Sequence, residues 1–361
     1  MKYASWVTFS IPRAHAESMK ILWLKDSKTG HLHKAKGLLR AMAELEEIEV
    51  TEYEVQWRWS GIRAILPKLG LLGLRLPLRW LLKNLPAPAP VSLILSAGGS
   101  TQWPNAAMAF QREVANVFLG SLRGMKADFF SLIAFHDAPE KTCPYYRFDI
   151  IPSMVTPRAA QEAARSAQLR ESATWGLLIG GNGEDIMWTD ACYRQIASSF
   201  LEAAKQQGVR VRIATSRRTP RHFESTLRDL FEASGILGES CWFHHRDKNA
   251  IPLLAMMGAC SRLYVTADSM SMTHESVSSG RPVFVILPLE GGNPRLRQNL
   301  QRLASEKRVV LQDPHHLAQT EATPRGGWHL VEHDPTRGLA QAVLATYATH
   351  ASAPNTSPAA L

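Results

Sequence analysis

The segment VTADSMSMTHE, residues 265–275, has the residue types of a strand-to-helix turn that binds phosphate. An apolar run ends at Val265, Asp268 or Ser269 can cap a helix, and residues 269–272 form its first turn. The unpaired N–H groups and positive partial charge of such a turn favour a phosphate. Glu275, about two helical turns from the strand end, could bind both hydroxyls of a ribose. Alternatively, these residues only cap the helix and Glu275 is solvated.

Two further loops follow predicted strands in the same half of the chain. The glycines of Gly180-Gly181-Asn182 could let backbone N–H groups approach a diphosphate closely. Ser216-Arg217-Arg218 could supply fixed positive charge to a departing phosphate. Neither loop has the spacing of a standard dinucleotide or P-loop site.

The first half of the chain contains a candidate proton acceptor in the segment DSKTGH, residues 26–31. Histidine exchanges a proton near neutral pH, so His31 could be a general base whose ring Asp26 orients. The alternative is that His31 only hydrogen-bonds the diphosphate or caps its helix.

An alternation of short apolar runs and segments of helical period would position these loops, and it indicates parallel α/β construction. Helices are predicted at residues 34–45, 106–119, 190–205 and 269–279. Strands are predicted at residues 20–24, 48–55, 91–95, 129–134, 148–151, 174–179, 209–214, 241–243, 262–266, 283–287 and 309–311. In such sheets ligands bind beyond the carboxyl ends of the strands, where the loops described above lie.

A chain of 361 residues is long for one domain, so we predict two Rossmann-like domains. The first covers residues 1–157 and the second covers residues 173–350. The polar, Ala-rich segment 158–172 is a predicted helical linker. Residues 351–361, rich in Ala, Ser and Pro, are a predicted disordered tail.

Composition narrows the class of protein. A hydrophobic content of 45% is ordinary for a globular chain, and no apolar run reaches the roughly 20 residues of a membrane-spanning helix. The N-terminal apolar segment is too short for a signal peptide, and four scattered cysteines argue against disulfides or a zinc site. We therefore expect a cytoplasmic protein. The net charge of +9 predicts an anionic partner, although no nucleic-acid-binding motif is present.

The sequence between residues 55 and 112 has no Asp or Glu, while cations recur among tryptophans and leucines from residue 57 to residue 84. Such amphipathic segments suit the interface of an anionic membrane, so the protein could be peripheral on the inner face of a membrane. Alternatively, ordinary helices bury the leucines on their own domain and show the cations to water. The cations are Arg58, Arg63, Lys68, Arg75, Arg79 and Lys83.

The stretches VTADSMSM with Glu275, LIGGN and TSRRTP, together with the early Gly30-His31 pair, resemble the mitochondrial-fission Elm-type family. The resemblance spans about residues 20–308. It implies a GT-B-like α/β fold, with two Rossmann-like domains whose parallel sheets face a central cleft. It further implies an N-terminal acceptor domain and a C-terminal domain that binds a nucleotide sugar, with Glu275 at the nucleotide.

The bacterial branch of that family implies a metal-independent glycosyltransferase that moves a sugar from a nucleotide-diphosphate sugar to a cell-envelope or lipid-linked acceptor. The sequence has no Asp-x-Asp, and helix termini with arginine can replace a metal, so no metal and no cofactor beyond the donor are expected. The catalytic candidates are His31 and Asp26. The donor-side candidates are Gly180, Gly181, Asn182, Ser216, Arg217, Arg218, Asp268, Ser269, Met270, Ser271 and Glu275. The acceptor-side candidates are Lys28, Gly30, Gly98, Gly99 and Ser100.

A rival function belongs to a different class. Plant members of the family act in organelle division by recruiting a partner, and fold does not guarantee catalysis. The resemblance therefore also admits a non-catalytic adaptor of the same fold that binds a membrane or a protein.

Overall fold

The computed structural model describes residues 6–9, 18–86, 89–139, 144–169, 173–183, 186–243, 253–288, 294–315, 317 and 323–352. The chain divides into two units. The first unit contains Met1–Met154 and Pro335–Leu361, and the second contains Val155–Asp334. Each unit is built on one sheet, which explains the alternation of strands and helices in the sequence.

The first unit has a seven-stranded sheet in the order β1-β3-β2-β4-β5-β6-β7. All neighbouring strands are parallel except β1, which pairs antiparallel with β3. The strands are β1 (Trp6–Phe9), β2 (Met19–Lys25), β3 (Ile48–Glu54), β4 (Leu93–Ala97), β5 (Ala115–Leu119), β6 (Leu132–Phe135) and β7 (Tyr145–Arg147).

The helices of the first unit connect parallel strands and cover the sheet. Every residue of β4 and β5 is buried, as expected for central parallel strands with both faces covered. Single 3₁₀ turns occupy Ser60–Ala64, Leu66–Leu69 and Ala127–Phe129. The helices are α1 (Thr29–Ala43), α2 (Leu71–Arg75), α3 (Leu78–Leu81), α4 (Gln102–Arg112) and α11 (Arg337–Ser352).

The second unit has a six-stranded, fully parallel sheet in the order β10-β9-β8-β11-β12-β13. Its strands are β8 (Thr174–Ile179), β9 (Arg210–Thr215), β10 (Leu237–Phe243), β11 (Arg262–Thr266), β12 (Val283–Ile286) and β13 (Val309–Gln312). Its helices are α5 (Pro157–Ser166), α6 (Asp190–Gln206), α7 (Arg221–Ala233), α8 (Leu253–Ala259), α9 (Met270–Ser278) and α10 (Pro294–Ser305).

One predicted helix is wrong in its second half. The helix predicted over residues 106–119 ends at Arg112, and Ala115–Leu119 form the central strand β5. Glu113, at φ 54°, adopts the left-handed conformation that ends α4. The apolar run that follows has no periodicity of its own, so it could be read as a continuation of the helix.

The strand predicted over residues 148–151 is also wrong. The chain pairs with β6 only through Tyr145–Arg147 and then leaves the sheet. Phe148 and Ile151 are nevertheless buried in the core of the first unit. The apolar residues of this stretch are therefore loop residues that pack into the core of the first unit.

The unit boundaries differ from the predicted domains at both ends of the second half. The predicted linker, residues 158–172, largely coincides with α5, which packs on α8 within the second unit. The predicted second domain ended at residue 350, but α11 returns to the first unit, where Leu339 and Val343 join the core. Ala351 and Ser352 belong to α11, and the rest of the predicted tail lies outside the described residues.

Within the part of the chain that the structure describes, no helix has the length and apolar character needed to cross a membrane.

We predict that Gly258→Ala destabilises the second unit by about 1 to 3 kcal/mol, as overpacking does in well-packed cores. A Cβ atom on Gly258 would lie 1.9 Å from the carbonyl oxygen of Ala160, so α8 and α5 would have to separate. Urea unfolding of the full chain measures the loss. Gly61→Ala is the control, because its Cβ would meet nothing within 4 Å. Equal effects of the two substitutions would contradict the close contact.

Candidate functional site

Three loops of the second unit follow strands that are adjacent and parallel. β8 lies between β9 and β11 in the sheet. The loops that begin at Gly180, Ser216 and Ala267 therefore leave the same edge, as the sequence predicted.

Asp268 joins these loops through its buried side chain, which has no exposed surface. Oδ2 accepts hydrogen bonds from the N–H of Gly181 at 3.0 Å and from Nη2 of Arg218 at 2.7 Å. Oδ1 accepts from the hydroxyl of Thr266 at 2.7 Å and from Nε1 of Trp188 at 3.1 Å. Each carboxylate oxygen thus accepts two donors, and no donor atom comes from the helix that follows.

The charge of Asp268 is balanced by Arg218, whose side chain remains 41% exposed. Burial raises the pKa of the Asp268 carboxyl, and the hydrogen bonds from Thr266 and Gly181 together with the Arg218 charge act against that rise. A buried carboxylate is costly unless it is paired and hydrogen-bonded, which explains why donors from three loops meet here.

The two glycines after β8 are explained by this packing. A Cβ atom on Gly180 would lie 2.1 Å from Oδ2 of Asp268, and one on Gly181 would lie 2.1 Å from the backbone of Arg218. No side chain fits at either position while the loops stay together. The predicted role of these glycines in diphosphate binding stays a prediction.

The remaining donor-side candidates lie around the same sheet edge. Ser269, and not Asp268, caps α9: its hydroxyl accepts from the N–H of Met272 at 3.3 Å. Met270, Ser271 and Glu275 are half-buried on α9. In the neighbouring loops, Asn182 accepts a hydrogen bond from the N–H of Trp188, Ser216 bonds Thr219, and Arg217 is exposed.

His274 lies next to Glu275 on α9. Its side chain is fully buried, and Nε2 lies 3.1 Å from Oδ1 of Asn299 on α10. The residue therefore helps to fix α9 against α10.

The first unit contains a second buried carboxylate, Asp26, after β2. Oδ2 of Asp26 lies 2.8 Å from Nδ1 of His31 and accepts the hydroxyl of Ser100 at 2.9 Å. Oδ1 accepts the N–H of Lys28 at 3.1 Å. The structure thus brings together the two predicted catalytic residues and two acceptor-side candidates, Lys28 and Ser100, at the adjacent ends of β2 and β4.

Gly98 and Gly99 let the loop after β4 approach His31. At Gly98, φ is +92° and a Cβ atom would lie 2.1 Å from Nδ1 of His31. At Gly99, a Cβ atom would lie 3.0 Å from the side chain of Arg123. Lys28 is exposed at the N-terminus of α1, and Gly30 is half-buried in its first turn.

A cavity of about 570 Å³ opens beside His31, which is 28% exposed. Its charged and polar lining includes residues that the sequence analysis missed, among them Glu54, Gln102 and Arg123. Arg123 was missed because the strand before its loop was read as a helix. Trp57, which also lines the cavity, donates its Nε1–H to the carbonyl of Ser100 at 3.0 Å.

The Asp26–His31 pair can exchange a proton with a ligand in this cavity. When Nδ1–H donates to Asp26, Nε2 of His31 carries the lone pair and can accept a proton from a hydroxyl. The described residues contain no group of three His, Cys, Asp or Glu that could hold a metal ion.

We predict that Asp268→Asn destabilises the second unit by about 3 to 5 kcal/mol, the usual effect of breaking a buried charge pair. In either orientation the amide nitrogen of Asn would face two donors that the carboxylate now accepts. Urea unfolding followed by tryptophan fluorescence measures the loss. Asp190→Asn is the control, because Asp190 pairs with His222 at the exposed surface. Similar losses for both variants would show that Asp268 does not hold the loops together.

Comparison with solved structures shows the fold class. A UDP-GlcNAc 2-epimerase from Methanocaldococcus jannaschii is similar with a TM-score of 0.53 and 9% identity, over 91% of this chain and all of the other. MurG of Acinetobacter baumannii has a TM-score of 0.49 and 13% identity, over 93% of this chain and all of the other. The predicted GT-B-like α/β fold with two Rossmann-like units is confirmed.

Comparison of sequences shows the family. An uncharacterized protein of Rickettsia prowazekii is 25% identical over 131 residues, which are 36% of this chain and 36% of that protein. The family described as Mitochondrial fission ELM1 matches residues 29–347. The chain therefore belongs to the mitochondrial fission ELM1 family.

Proposed function

We propose that the protein is a glycosyltransferase that moves a sugar from a nucleotide-diphosphate sugar to a hydroxyl of a lipid-linked or cell-envelope acceptor. The observation that carries the proposal is the Asp26–His31 pair beside the cavity of the first unit. Nε2 of His31 takes the proton of the acceptor hydroxyl. The oxygen then forms a bond to the anomeric carbon, and the bond from that carbon to the diphosphate breaks.

The second unit would bind the donor. The N-terminus of α9, capped by Ser269, offers backbone N–H groups to a phosphate, and Glu275 on the same helix offers a carboxylate to the ribose. Arg217 is exposed in the loop after β9, and we assign it to the departing diphosphate. These helix and arginine groups would replace a metal at the diphosphate.

The relatives support this proposal at the level of fold. The solved structure from Methanocaldococcus jannaschii is that of a UDP-GlcNAc 2-epimerase, an enzyme of a UDP-sugar. A fold can host several functions, so the experiments below address the two sites directly.

We predict that His31→Gln lowers the rate of transfer by a factor of about 10² to 10⁴, because the acceptor loses its general base. Release of nucleoside diphosphate from a UDP-, GDP- or ADP-sugar, with bacterial membrane lipids as acceptor, measures the rate. Nucleotide affinity should stay unchanged. The control is His33→Gln, two residues later on α1 at an exposed position, which should keep the wild-type rate.

Two outcomes would contradict the catalytic role. Equal rates for His31→Gln and the wild type would remove His31 from the reaction. A wild-type protein that binds a nucleotide sugar but releases no diphosphate with any acceptor would favour the non-catalytic adaptor.

We predict that Glu275→Ala weakens nucleotide binding by about 1 to 3 kcal/mol, because the ribose hydroxyls lose a charged acceptor. A thermal-shift screen identifies the nucleotide, and calorimetry then measures its affinity. Glu202→Ala is the control, since Glu202 is exposed on α6 and accepts a hydrogen bond from Gln206 in its own helix. Unchanged affinity in a folded Glu275→Ala protein would remove Glu275 from the site.

A further inference from the structure

The basic segment between β3 and β4, residues 57–82, leaves the sheet and returns to it. We call this segment the excursion. An antiparallel bridge between Trp57 and Leu82 closes its base. The N–H of Arg58 donates to the carbonyl of Leu81, and the N–H of Lys83 donates to that of Gln56. The excursion therefore leaves and re-enters the first unit at one place.

One set of its apolar side chains anchors the excursion to the first unit. Leu66, Leu74 and Leu81 are buried in a cluster with Trp103 and Phe118. Gln111 of α4 donates to the carbonyl of Leu74 at 2.7 Å. For these three leucines, the alternative prediction that they pack on their own domain is correct.

A second set of large apolar side chains faces solvent. Their exposed fractions run from 41% at Leu69 to 65% at Leu72. Trp59 and Trp80 each lie two residues from the bridge that closes the base. The set consists of Trp59, Ile65, Leu69, Leu71, Leu72 and Trp80. Packing within the first unit does not explain these residues.

The cations of the segment are exposed together with this second set. No acid occurs between residues 55 and 112 of the sequence. Two cations do share cavities with acids: Arg63 lines the His31 cavity with Glu54, and Arg75 lines another with Glu113. Lys68, Arg79 and Lys83 line neither of these cavities, and all three are exposed.

We propose that this surface, the exposed apolar and basic residues between 57 and 85, docks the protein on an anionic lipid bilayer. The cations would bind lipid phosphates while the tryptophans and leucines enter the boundary between headgroups and acyl chains. An acid-free face that mixes cations with exposed aliphatic side chains complements anionic lipid in both charge and polarity. Nucleic acid fits less well, because leucine and isoleucine offer no surface for base stacking.

Sedimentation of the full-length protein with vesicles tests the proposal. The wild type should bind vesicles of equal parts phosphatidylcholine and phosphatidylglycerol, ignore vesicles of phosphatidylcholine alone, and dissociate as salt rises. Replacing Lys68, Arg79 and Lys83 with Gln should weaken binding about a hundredfold, because each cation near the membrane surface contributes roughly 1 kcal/mol to binding. Glycerol phosphate, the soluble headgroup analogue, should not compete.

Two further variants test whether vesicle binding depends on this particular surface or only on the net charge of the protein. Replacing Trp59, Leu72 and Trp80 with Ser removes exposed apolar groups without a change in charge, and it should also weaken binding. Replacing Arg194, Lys205 and Arg210 with Gln removes three exposed cations of the second unit, and it should leave binding unchanged. Unchanged thermal unfolding would show that each variant is folded.

Several outcomes would overturn the proposal. They are a wild type that ignores anionic vesicles at low salt, an equal loss in the second-unit control, or a serine variant that binds like the wild type. Salt-dependent binding of single-stranded DNA in place of vesicles would also overturn it. The inference does not rest on catalysis, since vesicle binding can succeed or fail whatever happens to nucleotide binding and turnover.

Discussion

The second unit depends on one buried carboxylate, that of Asp268. A fully buried charge is tolerated only when its oxygens are satisfied, and here the donors come from Thr266, Gly181, Trp188 and Arg218. That requirement fixes the path of three loops at one sheet edge. It also explains the glycines at positions 180 and 181 and the pairing of Arg218, so that the N-terminus of α9 is presented in a defined position.

The first unit also contains a carboxylate that is held by several donors, but its surroundings are different. Asp26 also accepts donors from separate loops, but its partners include His31, which remains partly exposed to a cavity. The carboxylate in the second unit is enclosed and stabilises loops. The carboxylate in the first unit contacts a histidine that remains accessible from a cavity, so the two carboxylates differ in the exposure of their partners.

The sequence predicted the six strands of the second unit and the loops after them because apolar runs, capping residues and glycines are local signals. It could not predict the bonds to Asp268, since Gly181 and Trp188 lie 87 and 80 residues away along the chain. Local signals also failed at Ala115–Leu119. There the left-handed backbone conformation of Glu113 divides one apolar stretch into a helix and a strand. Because β5 was predicted as part of a helix, the loop that follows it and carries Arg123 was not recognised. The return of α11 to the first unit was equally invisible, because its core contacts are formed with residues far earlier in the sequence.

The way the loops of the second unit are held has an evolutionary consequence. Their shape is maintained by the protein's own donors around Asp268. Those donors lie in the second unit and His31 lies in the first, so selection on His31 and selection for the shape of these loops act on different residues. A descendant in which His31 was replaced would keep these loops, and their surface could then be recruited for binding alone.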